Sequence, residues 1–375
     1  MSMVYDNWER LAAAVLRREE LWQLFHSHSR SSSVSSTESG FSTISRWGSS
    51  RLDFSSYFPS EIKSIGGIKV EKGNSDLVYI ENSSPSFDLE DLLEASWEFI
   101  GDEGYSFIST FAATLKNSST IVVKRLRIGT VALERKVFDE RMTIVKSIDN
   151  ENVAALRGYF FVEDGVLGLY DYFSQGSVYA MLHGKRSDNR VHLDWETRIR
   201  IAVGAARGLA YIHTQCGGTL IHGNIKASNV FLNSQQYGCL ADYEASLINP
   251  SAKPLAQNSG YRAPEVYANK PSQASDVYSF GILLLELLTG RSPMHTSRAN
   301  KTFGDWAHLQ AQDGMSFQVY DLQLLRNPIV KQAMWNMLEI AMPCLAKKPE
   351  NRPKMSDVVE MLELLLDDQR RHDHL

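Results

Sequence analysis

A β-branched run, Thr120-Ile121-Val122-Val123-Lys124, constrains the fold more than any other stretch of this sequence. Branched side chains suit a pleated strand and lose rotamer freedom in a helix. Asn117-Ser118-Ser119 just before it reads as the turn of a hairpin. Further along, the pattern changes. Trp195 to Gln215, Gln273 to Thr289 and Met355 to Asp367 space their apolar residues at helical intervals. Phe87 to Ser96 reads as a short helix leading into the strands. A small β-rich part followed by a larger helical part predicts an α+β chain of two lobes with a cleft between them.

Composition narrows the function classes. Hydrophobic residues make up 43% of the 375 positions, enough for a sizeable core. The formal net charge of -5 argues against nucleic acid as the main partner, because phosphate binding needs clustered Lys and Arg. Cys216, Cys239 and Cys344 are odd in number and show no metal-ligand spacing. They read as reduced, buried thiols of a cytosolic protein. The N-terminus has no signal-peptide pattern, and Ser2 stands where a myristoylation signal needs Gly. The best apolar run, Phe280 to Leu288, is far short of the roughly 20 residues of a membrane span and contains Glu286. The expectation is a cytoplasmic chain, or one held peripherally at the plasma membrane.

Tyr5 to His26 places Trp8, Leu11, Ala12, Val15, Trp22 and Phe25 largely on one helical face. It reads as a helix that docks on the chain's own domain, on a partner protein or on a membrane interface. Ser27 to Ser56 is dense in serine and poor in core formers, as a disordered linker is. Arg30-Ser31-Ser32-Ser33 and Arg46-Trp47-Gly48-Ser49 set serines near arginines, a phosphorylation pattern that Ser-rich linkers also match by chance. The expected organisation is a docking helix over 1–26 and a mostly disordered linker over 27–84. A small lobe with hinge follows over 85–180, then a helical lobe over 181–368 and a tail over 369–375.

Six motifs then occur in one order. They are Val122-Val123-Lys124, His222-Gly223-Asn224-Ile225-Lys226-Ala227-Ser228-Asn229, Asp242-Tyr243-Glu244, Ala263-Pro264-Glu265, Asp276-Val277-Tyr278-Ser279-Phe280-Gly281 and Asn351-Arg352-Pro353. In that order they resemble the protein kinases: the strand lysine, catalytic loop, metal-binding triplet, end of the activation segment and helical-lobe framework. Phe87-Asp88-Leu89-Glu90-Asp91-Leu92-Leu93, Tyr170-Asp171-Tyr172 and Gly176-Ser177 resemble plant receptor-like kinases in particular. Within that group the chain is similar to the atypical leucine-rich-repeat receptor kinases, many presumed inactive, in a cytoplasmic form without ectodomain or membrane span. The resemblance covers roughly residues 85–368.

The resemblance implies a site, and the residues depart from it. A Gly-rich loop lets backbone N–H groups approach phosphate closely. Here Gly101-Asp102-Glu103-Gly104-Tyr105-Ser106-Phe107-Ile108 holds Glu103 and Ser106, or in a register shifted by two Glu103, Tyr105 and Ile108, at the glycine positions. Lys124 would pair with phosphates and with a helix glutamate, but that helix, about Val131 to Ile148, has Arg141 before Met142. Glu140 lies one position early and so faces about 100° away. A shifted helix register would restore the pair; without it Lys124 reads as a solvated strand-edge lysine, or binds Asp242.

The catalytic aspartate is replaced by Asn224, which is neutral and cannot act as a base. Gly223 stands for the arginine that would read a phosphorylated activation segment, and Glu244 for the glycine hinge. Asn229 and Asp242 match the two magnesium ligands, and Lys226 the lysine that neutralises the moving phosphate. Gly101, Ile108, Tyr170 and Tyr172 complete the implied nucleotide set, with Tyr170 at the back of the adenine pocket and narrowing it. His222 and Tyr243 would stack in a column linking the lobes. Glu265 and Arg352 would form a buried ion pair, and Asp276 would anchor the catalytic-loop backbone.

The resulting expectation is a pseudokinase acting as scaffold or allosteric partner in receptor-kinase signalling. It needs no cofactor, and any ATP and Mg would bind weakly. Its partners would be receptor-like kinases or their substrates. The alternative is a weakly active ATP-dependent Ser/Thr protein kinase.

Overall fold

A computed structural model of the chain describes residues 78–79, 87, 89–101, 108–127, 135–162, 165–184, 193–248, 260–268, 271–293, 302–312, 320–321, 323–324 and 328–373. The expected docking helix, serine linker, most of the phosphate loop and activation-segment residues 249–259 lie outside these. The chain divides into two compact units, the first comprising residues up to 103, 107–132 and 156–172, the second taking 133–155 and everything from 173.

The first unit is an antiparallel sheet of β1 (Val78–Tyr79), β2 (Ser96–Gly101), β3 (Ile108–Thr114), β4 (Thr120–Arg127), β5 (Leu156–Val162) and β6 (Gly165–Asp171), with helix α1 (Leu89–Glu94). Strand order is β1-β5-β6-β4-β3-β2. The β-branched run forms β4, and the predicted turn joins it to β3, with Ser118 at φ +68°. The helix predicted over Phe87 to Ser96 is shorter, and Trp97 donates its indole N–H to the Leu92 carbonyl at 3.1 Å, fixing α1 against β2. Leu92, Trp97, Phe111, Ile121, Val123 and Leu169 form the core of this unit. Strand β1, paired with Tyr159 and Gly158, falls inside the segment expected to be linker. Two residues are too few for an alternating pattern to show.

The second unit contains α2 (Arg135–Ser147), α3 (Val178–His183), α4 (Trp195–Gly218), the hairpin of β7 (Val230–Leu232) and β8 (Gly238–Leu240), and α5 (Glu244–Ile248). It continues with α6 (Gln273–Thr289), α7 (Phe303–Gln312), α8 (Pro328–Cys344) and α9 (Met355–Asp373). Helix α9 covers most of what was expected to be a tail.

Helix α6 is buried almost throughout and carries both a start and a stop signal. Ser272 and Ser275 form a capping box, and Gly290 ends the helix at φ +63°. Helix α4 lies directly on the hairpin because Gly204 has no side chain: a Cβ there would sit 2.3 Å from the Gly238 nitrogen. Of the three thiols, Cys239 and Cys344 are buried as expected. Cys216 is exposed, on a left-handed residue (φ +53°) at the kinked end of α4, where the chain turns away from the core. Among the described residues no helix is long and apolar enough to cross a membrane.

Candidate functional site

In the second unit, the catalytic-loop segment is held by one carboxylate. Asp276, near the start of α6, accepts the His222 N–H on Oδ2 at 2.7 Å and the Gly223 N–H on Oδ1 at 2.8 Å. His213 Nε2 lies 3.1 Å from the same Oδ2. Two backbone donors on one carboxylate fix the loop's direction, since each is a charge-assisted bond. Gly223 adopts φ +73°, a left-handed conformation open to glycine at little cost.

His222 is fully buried, and burial pushes its imidazole down to about 4 against the raising pull of Asp276 and Asp242. The ring is therefore neutral, and Nδ1 accepts the Asn224 N–H at 3.2 Å.

Asn224 is buried, and its carbonyl accepts a bond from Asn229 Nδ2 at 3.0 Å. The Asn229 carbonyl in turn accepts the Ala241 N–H at 2.9 Å, so the residue next to Asp242 is tied to the loop. Asn224, Asn229 and Asp242 are thus brought into one region of the second unit. Asp242 is buried at φ +71°, a strained angle for a non-glycine residue. Lys226 is half-buried, just before the turn Ala227–Asn229. The amide nitrogen of Asn229 is used by the Asn224 carbonyl, and its carboxamide oxygen lies 3.4 Å from the Ser228 hydroxyl, which leaves one lone pair of that oxygen for a cation. With the Asp242 carboxylate this makes a hard oxygen pair of the kind magnesium takes, though it holds a single negative charge.

Tyr243 is fully buried and donates its hydroxyl to the Val145 carbonyl on α2 at 3.3 Å. Glu244 does more than replace a hinge: it is buried and begins helix α5. On α2, Glu140 is exposed, Met142 is buried, and Arg141 Nη1 donates to the Ile248 carbonyl at 2.5 Å.

In the first unit, the reading of Lys124 as a solvated strand-edge lysine is overturned. Strand β4 has neighbours on both sides, and Lys124 is 4% exposed. Val122 pairs with Tyr170, which puts Lys124 diagonally across on the same face. Its Nζ stands 4.5 Å from the Tyr170 ring centroid, a cation–π contact. Tyr170 itself is buried, Tyr172 is exposed, Ile108 is buried in β3, and Gly101 ends β2. Lys124, Gly101, Ile108, Tyr170 and Tyr172 therefore belong to one unit, and Asn224, Lys226, Asn229 and Asp242 to the other.

Arg352 forks onto Glu265, Nη1 to Oε1 at 2.5 Å and Nη2 to Oε2 at 3.0 Å. Burial pushes the Glu265 carboxyl up, but the Arg352 hydrogen bond, a backbone bond and the guanidinium charge outweigh it and hold it below the usual range.

A second buried cluster escaped the sequence reading. Glu286 on α6 is wholly buried, 2.7 Å from His183 Nε2, and accepts a hydrogen bond from the Tyr261 hydroxyl. Tyr261 Oη also accepts the Ala227 N–H at 3.3 Å, linking this cluster to the catalytic-loop turn. Burial pushes Glu286 up against the pull of His183 and Tyr261. The signal was present as a lone acid in the apolar run Phe280 to Leu288, since a buried charge needs partners.

Residues 103–362 match the family described as protein tyrosine and serine/threonine kinase. The chain belongs to the protein kinase family. An Arabidopsis thaliana relative named a probable inactive receptor kinase is 46% identical over 299 residues, 79% of this chain and 46% of that protein. The chain thus spans about half the length of this relative. Among solved kinase structures, it is similar to the pseudokinase domain of BIR2, an immune regulator of the RLK/Pelle family, with TM-score 0.66 and 27% identity over 79% of this chain and 91% of that one. It is as similar to the maize sucrose-induced receptor kinase 1 kinase domain bound to AMP-PNP, with TM-score 0.65 and 30% identity over 77% and 99%. The chain thus resembles a pseudokinase domain and a nucleotide-bound kinase domain equally in shape, and only its residues distinguish the two readings.

Proposed function

We propose that this chain is a pseudokinase, acting as a scaffold or allosteric partner in receptor-kinase signalling. The observation that carries this is Asn224. The catalytic loop around it is fully formed, anchored on Asp276 and tied to Asn229, yet the side chain at the base position is a neutral amide. A positioned base contributes roughly 10²–10⁴-fold to such a step. Arg141 and the acidic residue Glu103 at a phosphate-loop glycine position place two further departures on phosphate handling. The name of the Arabidopsis relative supports the same reading. Asn229 and Asp242 would hold magnesium and Lys124 the phosphates of ATP, with a weak affinity that the other departures explain. Partners would be receptor-like kinases or their substrates.

A phosphotransfer assay on the full chain, with ATP, magnesium and a general protein substrate, tests the reading. The expected result is incorporation no greater than that of Lys124→Met or Asp242→Asn. Transfer well above both variants sinks it. Asn224→Asp alone is expected to leave the chain silent, because the base is one of several missing parts.

A further inference from the structure

We propose that Arg141 is a latch holding the start of the activation segment against helix α2. Arg141 donates to the carbonyl of Ile248, the last residue of α5. The final carbonyls of a helix lack partners within it, and a guanidinium is a charge-assisted donor to them. Val145, one turn further along α2, accepts the hydroxyl of Tyr243 immediately before α5. Residues four apart share a helix face, so one face of α2 grips both ends of the short helix.

The catalytic loop secures it from elsewhere. Ser246, in the middle of α5, has its hydroxyl 2.9 Å from the Ile221 carbonyl and 2.8 Å from that of His222. Gly223 leaves room for this: a Cβ there would lie 3.0 Å from the Ser246 Cβ. The arginine that the family motif places on the loop is thus replaced by a residue that lets the segment close down. An arginine on α2 holds the far end of the same short helix by its last carbonyl. Residues 243–248 become a fixed block with no part in phosphate transfer, and the latch stands whether or not the chain is active.

Hydrogen exchange measured by mass spectrometry on the full chain tests this, with Arg141→Ala, Arg141→Lys and Tyr243→Phe. In Arg141→Ala, amides in 243–248 are expected to exchange about tenfold faster, as loss of a charged hydrogen bond shifts local opening by roughly that factor. Tyr243→Phe should give a smaller rise in the same segment, with α6 and α9 unchanged in both. Arg141→Lys keeps the charge and stem but not the fork, and gives an intermediate rise even if the alanine variant fails to fold. Unchanged exchange in 243–248 in the arginine variants overturns the latch. So does a rise spread evenly over α6 and α9, the mark of general destabilisation.

Discussion

Arg352 has no exposed side-chain surface, yet every direction in which its guanidinium points is answered. Glu265 takes the fork, the carbonyls of Ala274 and Ala346 take further N–H groups at 2.8 Å each, and the Tyr278 ring lies 5.0 Å from its central carbon. Removing Arg352 unmakes these charge-assisted bonds and strands the half-buried Glu265 carboxylate, at about 1.5–3 kcal/mol. Arg352→Ala is therefore expected to lose about that much in urea denaturation. Arg352→Lys should lose more than half of it, because an ammonium cannot form the planar fork. A loss below about 1 kcal/mol for alanine would mean the pair is merely surface decoration. This pair was legible in the sequence because Ala263-Pro264-Glu265 and Asn351-Arg352-Pro353 are motifs with known roles in the resembled family. The Glu286, His183 and Tyr261 cluster was not, since its members come from three segments and no local spacing joins them. Arg141 was legible only as a departure: the sequence said which acid was missing, and the contact to Ile248, 107 residues away, needed the fold.

At the scale of elements, helices α4, α6 and α9 were readable because each is long enough for its period to show. Strand β1 and helix α5 were not, being two and five residues long and set by tertiary contacts rather than by their own pattern. Long helices still depend on close approach at single points. Gly204 in α4 carries the usual propensity cost of a helical glycine, since alanine there would gain about 1 kcal/mol. The Cβ would however meet the Gly238 nitrogen at 2.3 Å and its carbonyl oxygen at 2.4 Å, both backbone atoms that cannot rotate aside. Overpacking of this kind costs about 1–3 kcal/mol. Gly204→Ala is expected to unfold at lower temperature by a few degrees. A higher melting temperature would show that the hairpin yields and that the contact is not what positions it. The same contact bears on the site, since Leu240 ends β8 and Ala241 and Asp242 follow it directly.

For the whole molecule, the retained and the lost parts of the nucleotide set fall in a pattern. Asn229, Asp242 and Lys226 in one unit and Lys124 in the other keep the residue types that hold metal and phosphate. The sequence departs from the resembled kinases at the glycine cover, the helix acid and the base. Metal-assisted nucleotide binding is therefore expected to survive in weak form, with a dissociation constant on the order of 1 mM. At about five times that concentration, linkage predicts about 1 kcal/mol of stabilisation. For a domain of this size that is a rise of about 2–4 °C in melting temperature. Thermal-shift titration of the full chain with ATP should show this rise with magnesium and lose it when the metal is chelated. Asp242→Asn should abolish it, because that substitution removes the one carboxylate of the pair. A site with a constant near 1 μM would instead give about 5 kcal/mol at the same concentration and a rise above about 10 °C. Such a rise would mean that the cover over the phosphates is supplied by residues other than the missing glycines, and that the chain is built to hold nucleotide even though Asn224 cannot use it.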